Sequence, residues 1–449
     1  MKITLIGTGY VGLVSGACFS ELGFNVSCVD IDQSKVDKIK KGIMPIYEKD
    51  LDTLVIKNMK AGRLTCTTSL KEGMDQSDVV MIAVGTPCRK SDGHADLTYV
   101  YEAAKQIAQN INRYTVVVTK STVPVGTAQE IVDIIQKERP ELTLGKNFDV
   151  ASNPEFLREG SAIADFMKPN RIVIGTTSEK AEDVLKALYK PLTDKGYALY
   201  ATAVKTSEMI KYAANAFLAV KISFINQIAD LCESVGADVE DVARGIGSDN
   251  RIGFPFLKAG PGYGGSCFPK DTRALVQTAE INNQDLSIVR AAAHSNEQRK
   301  VQLANRIIKY VQKKKLSNPF KLAVLGVTFK AGTDDIRDAS SLVIIPELLK
   351  AGIEVTVYDP LYFKGSGREH LAKELKGVTW AASAEDAIEN TNGLCILTEW
   401  AEFSEIKLSE IKNRMSKNPL LADFRNLYNS TLASDFDYLS LGRSDALGT

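Results

Sequence analysis

The sequence predicts an α/β protein made of two doubly wound, mostly parallel sheets joined by a long helix. Three observations carry this expectation. Short apolar runs alternate with helix-like stretches through the N-terminal part, and the same alternation restarts after Pro319. Between them, Val204 to Val235 contains neither Gly nor Pro and repeats its apolar residues at helical spacing.

Met1 to Ile6 reads as a buried strand, Gly7 to Gly12 as a tight turn, and Tyr10 to Leu22 as a helix. Asn25 to Asp30 reads as a second strand. Further strands are expected at Val79–Val84, Thr115–Thr119, Phe148–Ala151 and Arg171–Gly175. Unbroken apolar runs are what a strand covered on both faces requires. The Val204–Val235 segment is apolar on more than one face, which predicts one well-buried helix ended by Gly236, with more helix to about Val311. Lys313–Lys315 and Pro319 mark a boundary. Strands resume at Leu322–Leu325, Glu354–Tyr358, Leu394–Leu397 and Leu420–Asp423, and this second unit has only Gly326 in its first turn.

A chain of 449 residues exceeds one ordinary core, so two or three domains are expected. The 55 Lys and Arg balance the 55 Asp and Glu, which leaves no basic excess for nucleic acid or a membrane surface. Cys18, Cys28, Cys66, Cys88, Cys232, Cys267 and Cys395 are scattered and odd in number, which favours a reducing compartment over a disulfide framework. With three histidines out of ligand spacing and no CxxC pair, no metal site is expected. The apolar N-terminus is interrupted by Gly7, Gly9 and Gly12, so it reads as strand and turn rather than signal peptide. No apolar run is long enough to span a bilayer, and the expected location is the cytoplasm.

Gly7-Thr8-Gly9-Tyr10-Val11-Gly12 is a G-x-G-x-x-G turn between a strand and a helix. Gly7 permits the turn, Gly9 lets the backbone approach a pyrophosphate, and Gly12 allows close helix–strand packing. Asp30 stands where a carboxylate would accept from a ribose diol and repel a 2′-phosphate, which points to NAD rather than NADP. A strand-end turn aspartate is the plainer alternative. Lys35 suits the adenosine edge or a solvated helix face. Gly85-Thr86-Pro87 and Ser121-Thr122-Val123-Pro124 follow apolar strands, at the carboxyl ends where ligands bind, and would equally serve as turns.

Gly264-Gly265-Ser266-Cys267-Phe268-Pro269-Lys270-Asp271 is the most informative stretch. Glycines give the backbone freedom just before Cys267, and a lysine three residues on favours the thiolate. Asp271 supplies a carboxylate for base chemistry or for orienting a lysine. The alternative is a small buried cysteine beside a surface Lys-Asp pair. Lys211 and Asn215 share one helix face and suit a developing oxyanion, or else an interhelical polar contact. Around the turn at Asn153–Gly160, Glu155 and Glu159 could hold a water, or simply be charges at a helix start.

These residues resemble the UDP-glucose/GDP-mannose dehydrogenase family nearly end to end. The resemblance lies in GTGYVG at 7–12, STVPVG at 121–126, NPEFLREG at 153–160, KYAANAF at 211–217, FLKAGPGYGGSCFPKD at 256–271 and FKAGTDDIRDAS at 329–340. It implies two Rossmann-like domains joined by a long central helix. The divisions expected are an NAD-binding domain at 1–200, a helical dimerisation domain at 201–312 and a UDP-sugar-binding domain at 313–449. It also implies a homodimer and oxidation of UDP-glucose by two NAD to UDP-glucuronate, a precursor for surface polysaccharide. GDP-mannose and UDP-N-acetylhexosamines are the alternative substrates within the family. By resemblance Cys267 is the nucleophile, passing through a thiohemiacetal and a thioester. Lys211, Asn215 and Asp271 complete the catalytic set, with Glu155 and Thr122 placing the water. NAD would meet Gly7, Gly9, Val11, Gly12, Asp30, Lys35, Thr86, Thr122, Glu159, Lys270 and Arg337. The sugar nucleotide would meet Glu155, Phe156, Leu157, Arg158, Glu159, Lys211, Asn215, Phe256, Leu257, Lys258, Ala259, Gly260, Gly264 and Lys330, with Arg251 reaching the partner subunit's site. The chain departs from the family at Asp423-Phe424-Arg425, where Asp-Gly-Arg is common, and at Cys88, a loop position often filled by proline and expected to have no chemical role. A two-electron hydroxyacid dehydrogenase needs neither the cysteine nor a second α/β domain. A non-catalytic nucleotide-sugar sensor would have lost some of the chemistry-bearing residues that stand here.

Overall fold

The computed structural model describes the whole chain except residues 90–93, 316–318, 367, 418, 430–432, 434 and 444–449. It divides into two compact units, Met1–Ala214 with Gln277–Gln284, and Asn215–Val276 with Asp285–Thr449. The division falls inside the Val204–Val235 helix, whose bounds are those the sequence predicts.

The first unit holds an eight-stranded sheet. Its strands are β1 Lys2–Ile6, β2 Asn25–Val29, β3 Leu64–Thr67, β4 Val79–Ile82, β5 Thr115–Thr119, β6 Phe148–Ser152, β7 Ile172–Gly175 and β8 Leu199–Thr202. Their order is β3-β2-β1-β4-β5-β6-β7-β8. Pairing is parallel except at β6–β7, which meet antiparallel at Ser152 and Gly175. The first six strands follow the doubly wound dinucleotide-binding order. Every residue of β4, β5 and β6 is buried, so their apolar runs are the signature of strands covered on both faces.

The second unit holds a six-stranded parallel sheet: β9 Lys321–Leu325, β10 Glu354–Tyr358, β11 Thr379–Trp380, β12 Gly393–Ile396, β13 Leu420–Asp423 and β14 Asp437–Leu439. Its order is β11-β10-β9-β12-β13-β14, the same winding again. The likeness extends to the first turn. Gly7 and Gly326 both adopt positive φ, at 99° and 90°. Gly7 N–H donates to the Val29 carbonyl at 2.7 Å, and Gly326 N–H to the Tyr358 carbonyl at 2.8 Å. Asp30 accepts from the Thr8 N–H, while Asp359 accepts from the Val327 and Thr328 N–H groups. The single glycine in the second unit therefore performs the turn-making part of the full fingerprint.

Three long helices follow β8 in sequence: Val204–Val235, Phe268–Ile281 and Ser287–Lys313. Within the second unit, Ile225, Ala229 and Cys232 of the first and Leu303, Ala304 and Ile307 of the last join the core that also contains β9, β10, β12 and β13. Among the described residues, no helix is long and apolar enough to cross a membrane.

Candidate active site

In the first unit the glycine turn has the local shape a dinucleotide needs. A Cβ on Gly12 would lie 1.9 Å from the Gly7 carbonyl oxygen, so only glycine permits that approach. A Cβ on Gly9 would meet nothing within 4 Å, which leaves the backbone open to a pyrophosphate. One Asp30 carboxylate oxygen accepts from the Thr8 N–H at 2.8 Å and the Thr8 hydroxyl at 2.6 Å; the other accepts from the Asp32 N–H at 3.0 Å. Burial pushes the Asp30 carboxyl up, but these hydrogen bonds and the Lys35 charge outweigh it and hold it below the usual carboxylate range. An ionised, firmly oriented carboxylate at this position fits the ribose diol of NAD. The loops after β4 and β5 are tied together: the Thr86 hydroxyl donates to the Thr122 carbonyl at 2.9 Å, and the Ser121 hydroxyl to the Val84 carbonyl at 2.7 Å.

The loop after β6 carries the next group. Lys211 Nζ donates to the Glu155 carbonyl at 2.6 Å and to its carboxylate at 3.0 Å, and both side chains are buried. The other Glu155 oxygen accepts from the Leu157 N–H. The Phe156 ring lies 3.5 Å under the Arg171 guanidinium and 5.3 Å from Lys211 Nζ. Arg158 turns to Asp165 and is exposed, so its guanidinium is engaged outside this cluster.

The second unit holds the cysteine. Cys267 directly precedes the Phe268–Ile281 helix, where unpaired N–H groups favour negative charge. Ser266 Oγ is 3.5 Å from its sulfur. Asp271 is 0% exposed. Its Oδ1 is 2.6 Å from Lys270 Nζ, and its Oδ2 accepts from Asn215 Nδ2 at 2.6 Å. Lys270 is thus bound to the Asp271 carboxylate.

The loop before Cys267 is held by side chains that no motif announced. Gly260 N–H donates to Asn226 Oδ1 at 2.9 Å, and its carbonyl accepts from Arg299 Nε at 2.7 Å. Asn296 brackets Tyr263, accepting from its N–H at 2.8 Å and donating to its carbonyl at 3.0 Å. Gly265 N–H donates to the Arg337 carbonyl at 2.7 Å, while the Arg337 guanidinium pairs with Asp335. A Cβ on Gly264 would lie 2.5 Å from the Asp338 carbonyl, which explains that glycine. Phe256 is held at positive φ, Leu257 and Ala259 are buried, and Lys258 is exposed. Lys330 Nζ lies 5.5 Å over the Phe329 ring.

At the departure from the family pattern, Phe424 is fully buried in the core. Arg425 donates to the Leu397 and Phe329 carbonyls, and a Cβ on Gly260 would lie 3.2 Å from its Nη1. Cys88 bridges to Ala95 in a local loop pairing. None of the seven cysteines, all described, forms a disulfide.

A doubly wound sheet with this glycine turn and aspartate defines a dinucleotide-dependent oxidoreductase. Comparison with known proteins agrees with that class. Residues 1–193 match the NAD binding domain of the UDP-glucose/GDP-mannose dehydrogenase family, 205–298 its central domain and 323–430 its UDP binding domain. The chain belongs to that family. Over 449 residues it is 50% identical to the UDP-glucose 6-dehydrogenase of Rhizobium meliloti (strain 1021), covering 99% of this chain and 100% of that protein. The structure of a UDP-glucose dehydrogenase from Pyrobaculum islandicum matches with a TM-score of 0.87 at 33% identity, covering 100% of this chain and 98% of that one. A UDP-D-ManNAc dehydrogenase from Pyrococcus horikoshii matches with a TM-score of 0.87 at 28% identity, covering 99% and 100%.

Sequence reasoning missed Lys120, the last residue before the Ser121–Pro124 loop. It is only 3% exposed, and its Nζ donates to Asn153 Oδ1 at 3.0 Å. The signal was available: a lysine continuing a fully buried strand. Burial pushes its ammonium down to about 8; Glu155 opposes this and Lys211 adds to it. Between that value and the ordinary 10.5, the unfolded chain binds more protons than the folded one, so stability rises with pH across this window. Relative to a Lys120→Met variant, the wild type should therefore gain up to roughly 3 kcal/mol between pH 7.5 and pH 10.5. Denaturant midpoints of both proteins at the two pH values check this, and a pH-independent difference would contradict it.

Proposed function

We propose that this enzyme oxidises UDP-glucose by four electrons to UDP-glucuronate, using two NAD and one water per sugar. The observation that carries the reading is Cys267, placed at a helix start four residues ahead of a fully buried carboxylate that Asn215 and Lys270 hold in place. A two-electron alcohol oxidation has no need of such a thiol. The identity to proteins named UDP-glucose 6-dehydrogenase favours glucose over mannose or acetamido sugars. Residues 1–200 serve the dinucleotide, 201–312 subunit association and 313–449 the nucleotide of the substrate.

NAD supplies the hydride acceptor in each oxidation. Cys267 attacks the aldehyde formed first and gives a thiohemiacetal, so the aldehyde is not released. The second oxidation leaves a thioester on the same sulfur. Lys211 and Asn215, one helical turn apart, place an ammonium and an amide for the oxygen that carries charge at each stage. Glu155, with Thr122, places the water that hydrolyses the thioester, and Asp271 orients Asn215 and Lys270. Arg425, beside Gly260 and the Phe329 carbonyl and paired with Glu399 at 3.0 Å, lies among the segments assigned to the sugar nucleotide. Phe424, in place of the common glycine, leaves it there because the ring is absorbed by the core. A cytoplasmic location fits the seven cysteine thiols.

We further infer a homodimer. Phe217, Phe224 and Leu231 recur every seven residues on the Val204–Val235 helix, and all three are exposed. Such a stripe on a long helix is a packing seam. Arg251, 89% exposed along its side chain and paired with Asp249, is available to reach the partner's substrate site.

Two measurements follow. Spectrophotometry with limiting UDP-glucose should yield two NADH per sugar, and GDP-mannose or UDP-N-acetylmannosamine should be turned over at least about 100-fold less efficiently. One NADH per sugar would rule out the double oxidation. Light scattering should give twice the chain mass for the wild type and a smaller mass for Phe224→Glu; an unchanged dimer in that variant would place the seam elsewhere.

A further inference from the structure

Two side chains leave the Gly7–Gly12 turn to make hydrogen bonds. Thr8 reaches Asp30, as described. Tyr10 donates its phenol O–H to Glu48, a residue outside every motif. Glu48 is 8% exposed, and its carboxylate does more than receive Tyr10. Its Oε2 also accepts from the Gly160 N–H at 2.7 Å, and its Oε1 from the Ala162 N–H at 2.8 Å. The Gly160 N–H lies 2.9 Å from the Tyr10 oxygen as well. One carboxylate thus gathers the glycine turn and the end of the Asn153–Gly160 loop, segments 150 residues apart in sequence.

Burying a carboxylate is costly unless its oxygens are filled. Here three neutral donors fill them, drawn from two separate segments. That is an expensive way to secure a turn, and each segment alone could be closed more locally. Burial, and then the adjacent Glu48 carboxylate, raise the Tyr10 phenol well above its ordinary range, so the donor persists throughout the physiological pH range. The chain neighbours of the two ends are significant. Val11 follows Tyr10, Glu159 precedes Gly160, and both are assigned to NAD.

We propose that Glu48 is a positioning residue for NAD: by clasping Tyr10 and Gly160 it fixes Val11 and Glu159 at the spacing one dinucleotide requires. The proposal rests on the assignment of NAD to this site. Pre-set spacing lowers the ordering cost of binding, so its loss should appear in affinity rather than in the chemistry at Cys267.

The test is equilibrium titration of the full-length protein with NADH, followed by fluorescence, for the wild type, Glu48→Ala, Glu48→Gln, Tyr10→Phe and Tyr10→Phe/Glu48→Ala. Glu48→Ala should raise the Kd at least about tenfold and Tyr10→Phe about threefold. Glu48→Gln should recover part of the loss, because its carbonyl oxygen still accepts from an amide. The double variant should bind no more weakly than Glu48→Ala alone, since both remove one connection. Binding stoichiometry separates folded fraction from affinity, and Tyr10→Phe, which removes a single hydroxyl, keeps the question decidable if Glu48→Ala fails to fold. A folded Glu48→Ala with Kd within about twofold of wild type, or losses that add in the double variant, would overturn the clasp. A wild type that binds no NADH would instead overturn the cofactor assignment beneath it.

Discussion

Asp271 has no exposed surface, and a buried carboxylate is tolerated only when its oxygens are occupied by well-placed donors. Lys270 takes one oxygen and Asn215 the other. Satisfying this one charge fixes the first turn of the Phe268–Ile281 helix against the central helix within the second unit. The Asp271 N–H donates to the Cys267 carbonyl at 2.8 Å, so the cysteine is fixed by the same arrangement. A second charge pair, Lys211 with Glu155, both buried, secures the loop after β6 in the first unit. Each pair is removed from water at a cost that only close, well-oriented partners offset.

The backbone before Cys267 is held on the same principle. Gly260 is gripped at both its N–H and its carbonyl, Tyr263 likewise, and Gly265 at its N–H. A glycine-rich loop is mobile by default, and positions in it become precise only when side chains from rigid helices fill its backbone groups. Asn226, Asn296 and Arg299, all nearly fully buried, do this here. The glycines permit close approach, and the clamps convert that freedom into one conformation.

The sequence displayed the fold well where strands are covered on both faces. The ten central or near-central strands announced themselves as apolar runs. The four it did not display, β3, β8, β11 and β14, are the edges of the two sheets. Leu64–Thr67 and Leu199–Thr202 are only partly buried, and Thr379–Trp380 is two residues long, so none offers a run to read. The site divided in a similar way. Groups in motifs, such as Cys267, Lys211 and Asp30, were legible because their chemistry constrains residue type locally. Glu48, Asn226, Asn296 and Arg299 were not, because a supporting side chain is defined by a contact far along the chain and carries no local pattern. Arg425 shows the limit from the other direction: Phe424 broke the expected motif, yet the guanidinium still reaches Gly260.

The covalent route depends on the sulfur of Cys267. The most direct measurement is formation of UDP-glucuronate by Cys267→Ser, with Cys88→Ser as the control for substituting a cysteine in the loop after β4. Loss of the thiolate should reduce acid formation at least about 10³-fold while Cys88→Ser stays near the wild-type rate. A Cys267→Ser enzyme that makes the acid at the wild-type rate would contradict the covalent route.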